Sequence, residues 1–146
     1  MKFLIINGPN MNMLGKRDPS LYGNMTLNEL NSFIDDFCQK NGDEAQFFQS
    51  NHEGDIVDKL QSADADAILL NAAAFTHYSY AIHDAIECIS VPVCEVHLSD
   101  PSLREAFRKF SVIEDVVKFT VKGLKQDSYI EAINQFKQSK TNKAQA

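Results

Sequence analysis

The chain has 146 residues, of which 44% are hydrophobic and 23% are charged, and its formal net charge is -6. This length and composition predict one globular domain with a hydrophobic core, spanning residues 1–138, followed by a polar and frayed tail from 139 to 146. The negative charge argues against a general binder of nucleic acid or anionic membranes, although a local arginine cluster could hold a small anionic metabolite.

The apolar runs are all far shorter than the ~20 residues that cross a bilayer, and no signal-peptide pattern opens the chain. We therefore expect a cytoplasmic protein without membrane contact. Cys38, Cys88 and Cys94 are an odd number of cysteines in apolar segments, which favours reduced packing residues over a disulfide framework. No C-x-x-C or H-E-x-x-H spacing is present, and a metal site therefore has little support.

The first predicted elements are a strand, a long loop and a helix. Residues 2–7 (KFLIIN) form a continuous apolar run, which is typical of a strand buried on both faces. The segment from Asn7 to Gly23, NGPNMNMLGKRDPSLYG, is rich in Gly, Pro and Asn and predicts a long irregular loop of the kind that is usually functional or disordered. Thr26 and Glu29 then form a capping box, which predicts a helix that ends near Gly42.

The alternation of strands and helices continues to the end of the chain. The pattern predicts strands at 45–49, 67–70, 93–97 and 116–121, helices at 55–63 and 78–89, and a closing amphipathic helix that buries Tyr129 and Phe136. This order predicts an α/β fold, a three-layer sandwich with a five-stranded parallel sheet, flavodoxin-like, of strand order 2-1-3-4-5. In such sheets ligands bind beyond the carboxyl ends of the strands, near the point where the order reverses.

Polar side chains follow three of the predicted strands, and we expect them to meet at that edge of the sheet. They are Asn10, Arg17 and Tyr22 after the first strand, Asn71 and His77 after the third, and Glu95, His97, Ser99, Arg104 and Arg108 at the end of the fourth. This set suits proton transfer on a small oxygenated acid. The nucleophile elbow G-x-S-x-G, the P-loop G-x-x-x-x-G-K-[ST] and the dinucleotide fingerprint G-x-G-x-x-G are absent from the sequence.

Tyr22 and His97 are candidates for the proton transfers, and each also has a simpler structural interpretation. A lone tyrosine in a loop more often packs than catalyses, but the nearby Arg17 favours the phenolate and makes a base plausible. His97 shares a strand face with Glu95, which suits a satisfied core histidine about as well as a general acid. The remaining polar residues individually suit turns, loops or a solvated helix face, and their shared location is what favours a site.

Four stretches taken together resemble the type II 3-dehydroquinate dehydratases: LIINGPNMNMLGKRDPSLYG, QSNHEGDIVD, ILLNAAAFTHYSYAIHDAI and CEVHLSDPSLREAFRKFS. The similarity runs from about Lys2 to Tyr129. It implies the dehydration of 3-dehydroquinate to 3-dehydroshikimate by anti elimination through an enolate, in the shikimate or quinate pathway. It also implies that the reaction uses no metal, Schiff base or organic cofactor.

The resemblance implies a role for each catalytic residue. Tyr22, ionised with help from Arg17, would take the proton alpha to the ketone, while Asn10 would position a water that stabilises the enolate oxygen. His97 would protonate the departing hydroxyl, and Glu95 would hold its ring. The long loop would be a mobile lid that brings the base over the substrate and excludes bulk water.

The resemblance also implies substrate-binding residues and an assembly. The family's binding positions correspond here to Asn71, the Leu98 backbone amide and Ser99 for the carboxylate, and to His77 and Arg108 for the ring hydroxyls. Asp84 matches a residue that reaches the site of a neighbouring subunit. Because the family is typically a twelve-subunit assembly built from trimers, we expect a homo-oligomer, namely a dodecamer of trimers.

Two other classes of function stay open. One is a flavodoxin-like binding or signalling module, such as a phospho-receiver or a flavin carrier, although the chain has Asn7 and Asn10 where a receiver has acidic residues. The other is an inactive relative that binds another polyhydroxy acid. Its motivation is Ala73 and Ala74, which replace a Gly-containing segment, and Asp100, whose charge is expected to oppose binding of an acid.

Overall fold

The computed structural model describes all 146 residues and contains one parallel sheet of five strands. The strands are β1 (Lys2–Asn7), β2 (Glu44–Gln49), β3 (Ala67–Asn71), β4 (Val93–His97) and β5 (Phe119–Lys122). Their order is β2-β1-β3-β4-β5 with every pair parallel, which confirms the predicted flavodoxin-like topology. The order reverses between β1 and β3, and a crevice therefore opens beyond the carboxyl ends of these two strands.

Helices cover both faces of the sheet. They are α1 (Pro19–Tyr22), α2 (Leu27–Lys40), α3 (Glu53–Gln61), α4 (Tyr80–Glu87) and α5 (Asp127–Gln145), with short 3₁₀ turns at Met11–Met13, Ala73–His77, Pro101–Leu103 and Ala106–Lys109. Buried residues of α2 and α5 pack on one face, and those of α3 and α4 pack on the other, which makes the three-layer sandwich. No helix combines the length and the apolar character of a bilayer span.

The side chains of β1 alternate between the two hydrophobic cores. Phe3 and Ile5 join the core under α2 and α5, whereas Leu4 and Ile6 join the core under α3 and α4. All four are at most 1% exposed. Because burying each such side chain stabilises the fold by about 1.5–3 kcal/mol, two-sided burial explains why the strand is a continuous apolar run.

The start of α2 follows the predicted capping box. Thr26 Oγ1 accepts a hydrogen bond from the Glu29 backbone N–H at 3.2 Å, and Glu29 Oε2 accepts one from the Thr26 backbone N–H at 2.8 Å. The two residues thereby satisfy backbone donors that have no partner within the helix. This cap fixes the point at which the long loop rejoins the body of the domain.

Several boundaries differ from the prediction. α3 spans Glu53–Gln61 rather than 55–63, and α4 ends at Glu87 rather than 89. The long loop contains the one-turn helix α1, which Asp18 caps. α4 begins at Tyr80 rather than residue 78, because Ser79 Oγ caps it by accepting from the Ile82 backbone N–H at 3.1 Å. β5 begins at Phe119 rather than residue 116, since Val116 and Val117 pack on the core of α3 and α4 from a separate turn.

The carboxyl-terminal helix α5 is continuous to Gln145, and residues 140–146 are exposed. Its inner face buries Tyr129, Ile133 and Phe136 in the core shared with α2. The residues beyond this face have no core partner, but Lys140, Lys143, Ala144 and Gln145 among them are good helix formers. The division into a domain of residues 1–138 and a frayed tail stays a prediction.

We predict that Gly8→Ala destabilises the fold, because a Cβ at this position would lie 2.7 Å from the Ala72 carbonyl oxygen. The Gly8 N–H donates to the Asn71 carbonyl at 2.8 Å, and relief of the clash would stretch this link between β1 and β3. The free energy of unfolding in urea should fall by about 1–3 kcal/mol. Gly54→Ala is the control, since a Cβ there meets no atom within 4 Å. Equal stability of the two variants would contradict this packing.

Candidate active site

A cleft lies beyond the carboxyl ends of β1, β3 and β4, next to the point where the strand order reverses. Most of its lining residues are polar. The structure brings nine of the eleven candidate residues into this lining: Asn10, Arg17, Tyr22, Asn71, His77, His97, Leu98, Ser99 and Arg108. Glu95 lies directly behind His97, and Asp84 lies elsewhere.

Tyr22 enters the cleft from the end of α1. Asp18 caps this single turn and Pro19 occupies its first position, where its fixed φ suits a helix start. Arg17 precedes the cap and folds back over Tyr22, with its Cζ 4.0 Å from the centre of the ring. Its Nη2 donates to Tyr22 Oη at 2.9 Å. The phenol at the end of this one-turn helix is therefore already hydrogen-bonded to a guanidinium.

Arg104 supplies a second guanidinium to the same oxygen. Its Nη1 donates to Tyr22 Oη at 2.7 Å from the end of the 3₁₀ turn Pro101–Leu103. A guanidinium cannot accept a hydrogen bond, and both lone pairs of the phenolic oxygen are therefore used by cationic donors. The sequence places Arg104 at this rim without a role, since no local pattern indicates a contact across 82 positions of the chain.

His97 and Glu95 form a buried pair at the end of β4. His97 Nε2 lies 2.7 Å from Glu95 Oε1, and Glu95 is only 1% exposed. Burial by itself disfavours the charged form of Glu95. The hydrogen bond and charge of His97, with hydroxyl donors from Thr76 and Ser111, outweigh it and hold the pKa of Glu95 below its usual value. An ionised carboxylate can only accept, so Nε2 of His97 donates to it and Nδ1 is left for another partner.

Two hydroxyls that the sequence analysis did not single out complete this pair. Ser111 Oγ lies 3.0 and 2.9 Å from the two carboxylate oxygens of Glu95, and Thr76 Oγ1 donates to Oε1. Thr76 stands beside the predicted His77, but Ser111 is in a loop with no local signal. Together they satisfy lone pairs that burial would otherwise leave without a partner.

His77 and Arg108 line the outer side of the cleft. His77 Nδ1 lies 2.7 Å from the Phe110 carbonyl oxygen, which can only accept, and Nδ1 therefore carries the proton. In the neutral ring Nε2 is then an acceptor for a ligand hydroxyl. Arg108 donates from Nε to Glu105 at 2.8 Å, and its two terminal nitrogens are not used by this bond.

Asn10 stands at the mouth of the cleft in a left-handed backbone conformation with φ of 67°. Its backbone N–H donates to Asn51 Oδ1 at 3.0 Å, which holds the turn after β1. Asparagine tolerates this conformation better than most residues. Ala73, at the start of the 3₁₀ turn after β3, adopts a similar φ of 52°, a left-handed conformation that favours glycine.

The Asp100 carboxylate is paired with Ser102 and Lys122. It accepts from the Ser102 hydroxyl at 2.6 Å and from the Ser102 backbone N–H at 3.0 Å, and it lies 3.4 Å from Lys122 Nζ. These partners, with the Ser102 hydroxyl foremost, hold the pKa of Asp100 below its usual value. The charge that the sequence analysis expected to oppose an acid is thus paired outside the cleft lining.

Asp84 lies on the exposed side of α4, and its side chain is 76% exposed. It lies 3.1 Å from His83 Nδ1 and does not line the cleft of its own chain. Its contact with a neighbouring subunit stays a prediction. His83, Asp84 and Glu87 are close enough to share a metal ion, although exposed acidic groups of this kind are common without one.

Comparison with known proteins gives one consistent result. A family model described as Dehydroquinase class II matches residues 1–137. The chain is 50% identical over 133 residues to the 3-dehydroquinate dehydratase of Thermotoga neapolitana, covering 91% of this chain and 92% of that protein. It is 50% identical over 135 residues to the 3-dehydroquinate dehydratase of Bacillus licheniformis, covering 91% of this chain and 93% of that protein.

Solved structures extend this likeness to three dimensions. The type II dehydroquinase from Butyrivibrio crossotus matches with a TM-score of 0.90 and 44% identity, over 92% of this chain and 96% of that one. The type II dehydroquinase from Propionibacterium acnes matches with a TM-score of 0.88 and 32% identity, over 92% of this chain and 94% of that one. A receiver domain from Pseudomonas aeruginosa shares the fold alone. It matches with a TM-score of 0.51 and 13% identity, over 92% of this chain and 93% of that one.

The buried pair predicts a pH-dependent stability. Because the folded pKa of Glu95 is lowered, its stabilising effect is present above the unfolded value of about 4.3 and is lost as the pH falls through the folded value. Glu95→Gln should lower the free energy of unfolding by about 1.5–3 kcal/mol at pH 7. The difference between the wild type and the variant should shrink below about pH 4. Denaturation with urea across this range measures both effects.

The exposed Glu114, changed to Gln, is the matched control for Glu95. It should alter stability by less than about 0.5 kcal/mol at any pH in the same range. A Glu95→Gln variant whose deficit stayed constant down to pH 2.5 would show that the charge of Glu95 does not stabilise the fold.

Proposed function

The chain belongs to the class II dehydroquinase family, and we propose that its cleft dehydrates 3-dehydroquinate with Tyr22 as the base and His97 as the acid. The family assignment supports the overall reaction, which converts 3-dehydroquinate to 3-dehydroshikimate. One observation supports the assignment of Tyr22 as the base and His97 as the acid. A phenol held by two guanidiniums and a histidine held by a buried carboxylate line the same cleft.

Tyr22 takes the proton from the carbon alpha to the ketone. Arg17 and Arg104 both donate to its oxygen, and hydrogen bonds from charged donors are stronger to a phenolate than to a phenol. Both cationic donors are therefore in place at the phenolic oxygen before the substrate arrives. Proton removal leaves an enolate, whose oxygen takes a hydrogen bond from a water that Asn10 positions.

His97 gives its proton to the departing hydroxyl, which leaves as water. Glu95 accepts the hydrogen bond from Nε2 and holds the ring in place, and the proton that moves is the one on Nδ1. After release of the product, Tyr22 returns its proton to solvent and His97 regains one. The two transfers need separate groups because one carbon loses a proton while the neighbouring carbon loses a hydroxide.

Polar groups around the two catalytic side chains hold the substrate. Asn71, the Leu98 backbone amide and Ser99 bind its carboxylate. His77 accepts a hydrogen bond from a ring hydroxyl through Nε2, and Arg108 donates to a second one. All five residues line the cleft, which supports this arrangement.

The segment between Gly15 and Gly23 is a lid. It carries both Arg17 and Tyr22, and Gly15 and Gly23 at its two ends have φ values of 90° and 80°, which only glycine adopts easily. Rotation about these two residues would move the base over the bound substrate and exclude water. Arg104 reaches Tyr22 from outside this segment, and its hydrogen bond stabilises the closed position.

The two other classes of function, a binding or signalling module and an inactive relative, have less support. A signalling module of the receiver class shares only the fold with this chain. The interpretation as an inactive relative depends on Asp100, Ala73 and Ala74. Asp100 is paired with Ser102 and Lys122, and Ala73 adopts the left-handed backbone that a glycine would favour. Neither feature disturbs the residues around Tyr22 and His97.

The enzyme acts as a dodecamer built from trimers. Four large apolar side chains in the segments that contain the cleft residues His77, Arg104 and Arg108 are exposed: Tyr78 at 59%, Leu103 at 83%, Phe107 at 59% and Phe110 at 73%. Groups of this size on a small domain commonly mark an interface. Asp84 of one subunit would then reach the cleft of its neighbour.

The remaining expectations concern where the enzyme works. We place it in the cytoplasm, in the shikimate pathway of aromatic amino acid synthesis or in quinate breakdown. Three free cysteines, of which Cys88 is exposed, suit a reducing compartment. The proposed reaction uses groups of the protein and water, and it involves no nucleic acid or membrane partner.

Tyr22→Phe should lower kcat by about 10²–10⁴-fold while the KM for 3-dehydroquinate changes little, because only the proton-accepting oxygen is removed. The rise of the conjugated enone absorbance of 3-dehydroshikimate measures both constants. Tyr80→Phe removes an exposed hydroxyl outside the cleft and should leave both unchanged. A Phe variant of Tyr22 with normal kcat would exclude Tyr22 as the base.

Phe110→Asp should break the assembly, because a charge would replace the exposed apolar contact. The wild type should sediment with twelve times the 16.4 kDa mass of one chain, and the variant should sediment as a smaller species with lower activity. Gln138→Asp, on the exposed side of α5, is the control with the same final residue. A wild-type enzyme that sediments as a monomer with full activity would contradict this assembly.

A further inference from the structure

A buried tyrosine that takes no part in the proton transfers touches the floor of the cleft from behind. Tyr129, in the first turns of α5, is 0% exposed. Its hydroxyl donates to Asn7 Oδ1 at 2.5 Å and accepts from Asn71 Nδ2 at 3.1 Å. Asn7 and Asn71 are the last residues of β1 and β3 and face each other in the sheet. The carboxyl-terminal helix is thereby connected to the point where the strand order reverses.

The direction of this hydrogen-bond chain is fixed. Burial raises the pKa of Tyr129 far above its usual value, so the hydroxyl keeps its single proton. That proton goes to Asn7 Oδ1, and the phenolic oxygen can therefore only accept from Asn71. Asn71 must present its amino group, rather than its carbonyl oxygen, to Tyr129.

The opposite side of the Asn71 amide is fixed as well. Its Oδ1 accepts from the Ala73 backbone N–H at 3.1 Å. A flipped amide would place its oxygen against the oxygen of Tyr129 and its amino group against the N–H of Ala73, which replaces two attractive contacts with two repulsive ones. Asn71 is 4% exposed and lines the cleft, and its second N–H donates to Met11 Sδ, which lies 3.6 Å from Nδ2 and lines the same cleft. A thioether sulfur is a weak acceptor, and a carboxylate in the cleft would compete for this donor.

We propose that Tyr129 is a positioning residue for substrate binding, which acts by locking the Asn71 amide with its N–H toward the substrate carboxylate. The inference rests on the proposed function, in which Asn71 binds that carboxylate. Tyr129 does not line the cleft and touches no reacting atom. Its effect should therefore fall on binding and leave the proton transfers intact.

The test is the steady-state kinetics of Tyr129→Phe, which removes only the hydroxyl. The KM for 3-dehydroquinate should rise roughly tenfold while kcat changes by less than about threefold. The Kd for the product 3-dehydroshikimate, measured by titration calorimetry, should rise by a similar factor. Phe136→Leu is the matched control on the same helix and in the same core, and it should lose stability with KM unchanged.

A double-mutant cycle separates this inference from the proposed function. Asn71→Ala should raise KM, and adding Tyr129→Phe to it should raise KM no further, since Tyr129 acts through Asn71. If Asn71→Ala raises KM and Tyr129→Phe does not, the inference is wrong and the proposed function stands. If Asn71→Ala leaves KM unchanged, both the role of Asn71 and the inference are wrong.

A second variant covers the case in which Tyr129→Phe does not fold. Asn7→Ala removes the acceptor of the Tyr129 proton and leaves the tyrosine in place. The hydroxyl can then donate to Asn71, which turns the amide over and should also raise KM about tenfold. An unchanged KM in a folded Asn7→Ala enzyme would overturn the inference.

Discussion

The contact of two guanidinium groups with one phenolic oxygen is the interaction on which the site depends. Arg17 approaches Tyr22 from the same loop, and Arg104 approaches it from the segment after β4. Neither can accept a proton, and both stabilise negative charge on the oxygen. In the proposed mechanism the two donors hold the base, and the contact with Arg104 also joins the loop that carries Tyr22 to the rest of the domain. The fold contributes by bringing the ends of β1 and β4 to one edge of the sheet.

The charge of the chain and the charge of the cleft have opposite signs. The net charge is -6, yet three arginines, Arg17, Arg104 and Arg108, line the cleft. Glu95 holds His97, and Asp100 is paired with Ser102 and Lys122. Glu105 offsets part of the arginine charge, because it accepts from Arg108 at 2.8 Å. An anionic substrate thus meets a local positive field in an acidic protein, which favours entry of a small acid over polyanions such as nucleic acid.

The elements and the site differ in how far the sequence alone predicts them. The apolar run of β1 and the capping box of α2 are local patterns, and the structure has both where they were expected. The apolar pair Val116 and Val117 suits a strand or a packed turn equally well, and only the core of α3 and α4 decides between them. A period-two pattern over two residues carries too little information.

Long-range contacts mark the limit of sequence reasoning. The convergence of Tyr22 and His97 follows from strand order, because side chains at the carboxyl ends of parallel strands meet at one edge. The contacts of Arg104 with Tyr22, of Ser111 with Glu95 and of Tyr129 with Asn7 depend on how loops and α5 fold back on the sheet. No spacing along the chain encodes them. They nevertheless fix the directions of the donors and acceptors on which the chemistry relies.

A crystal structure with 3-dehydroshikimate bound tests the central claim most directly. The account predicts one ligand in the cleft, with the carbon next to its ketone about 3–3.5 Å from Tyr22 Oη and His97 facing the carbon that bore the hydroxyl. Arg17 and Arg104 should both remain on the phenolic oxygen. A ligand that contacts Tyr22 or His97 but cannot reach the other would contradict the account.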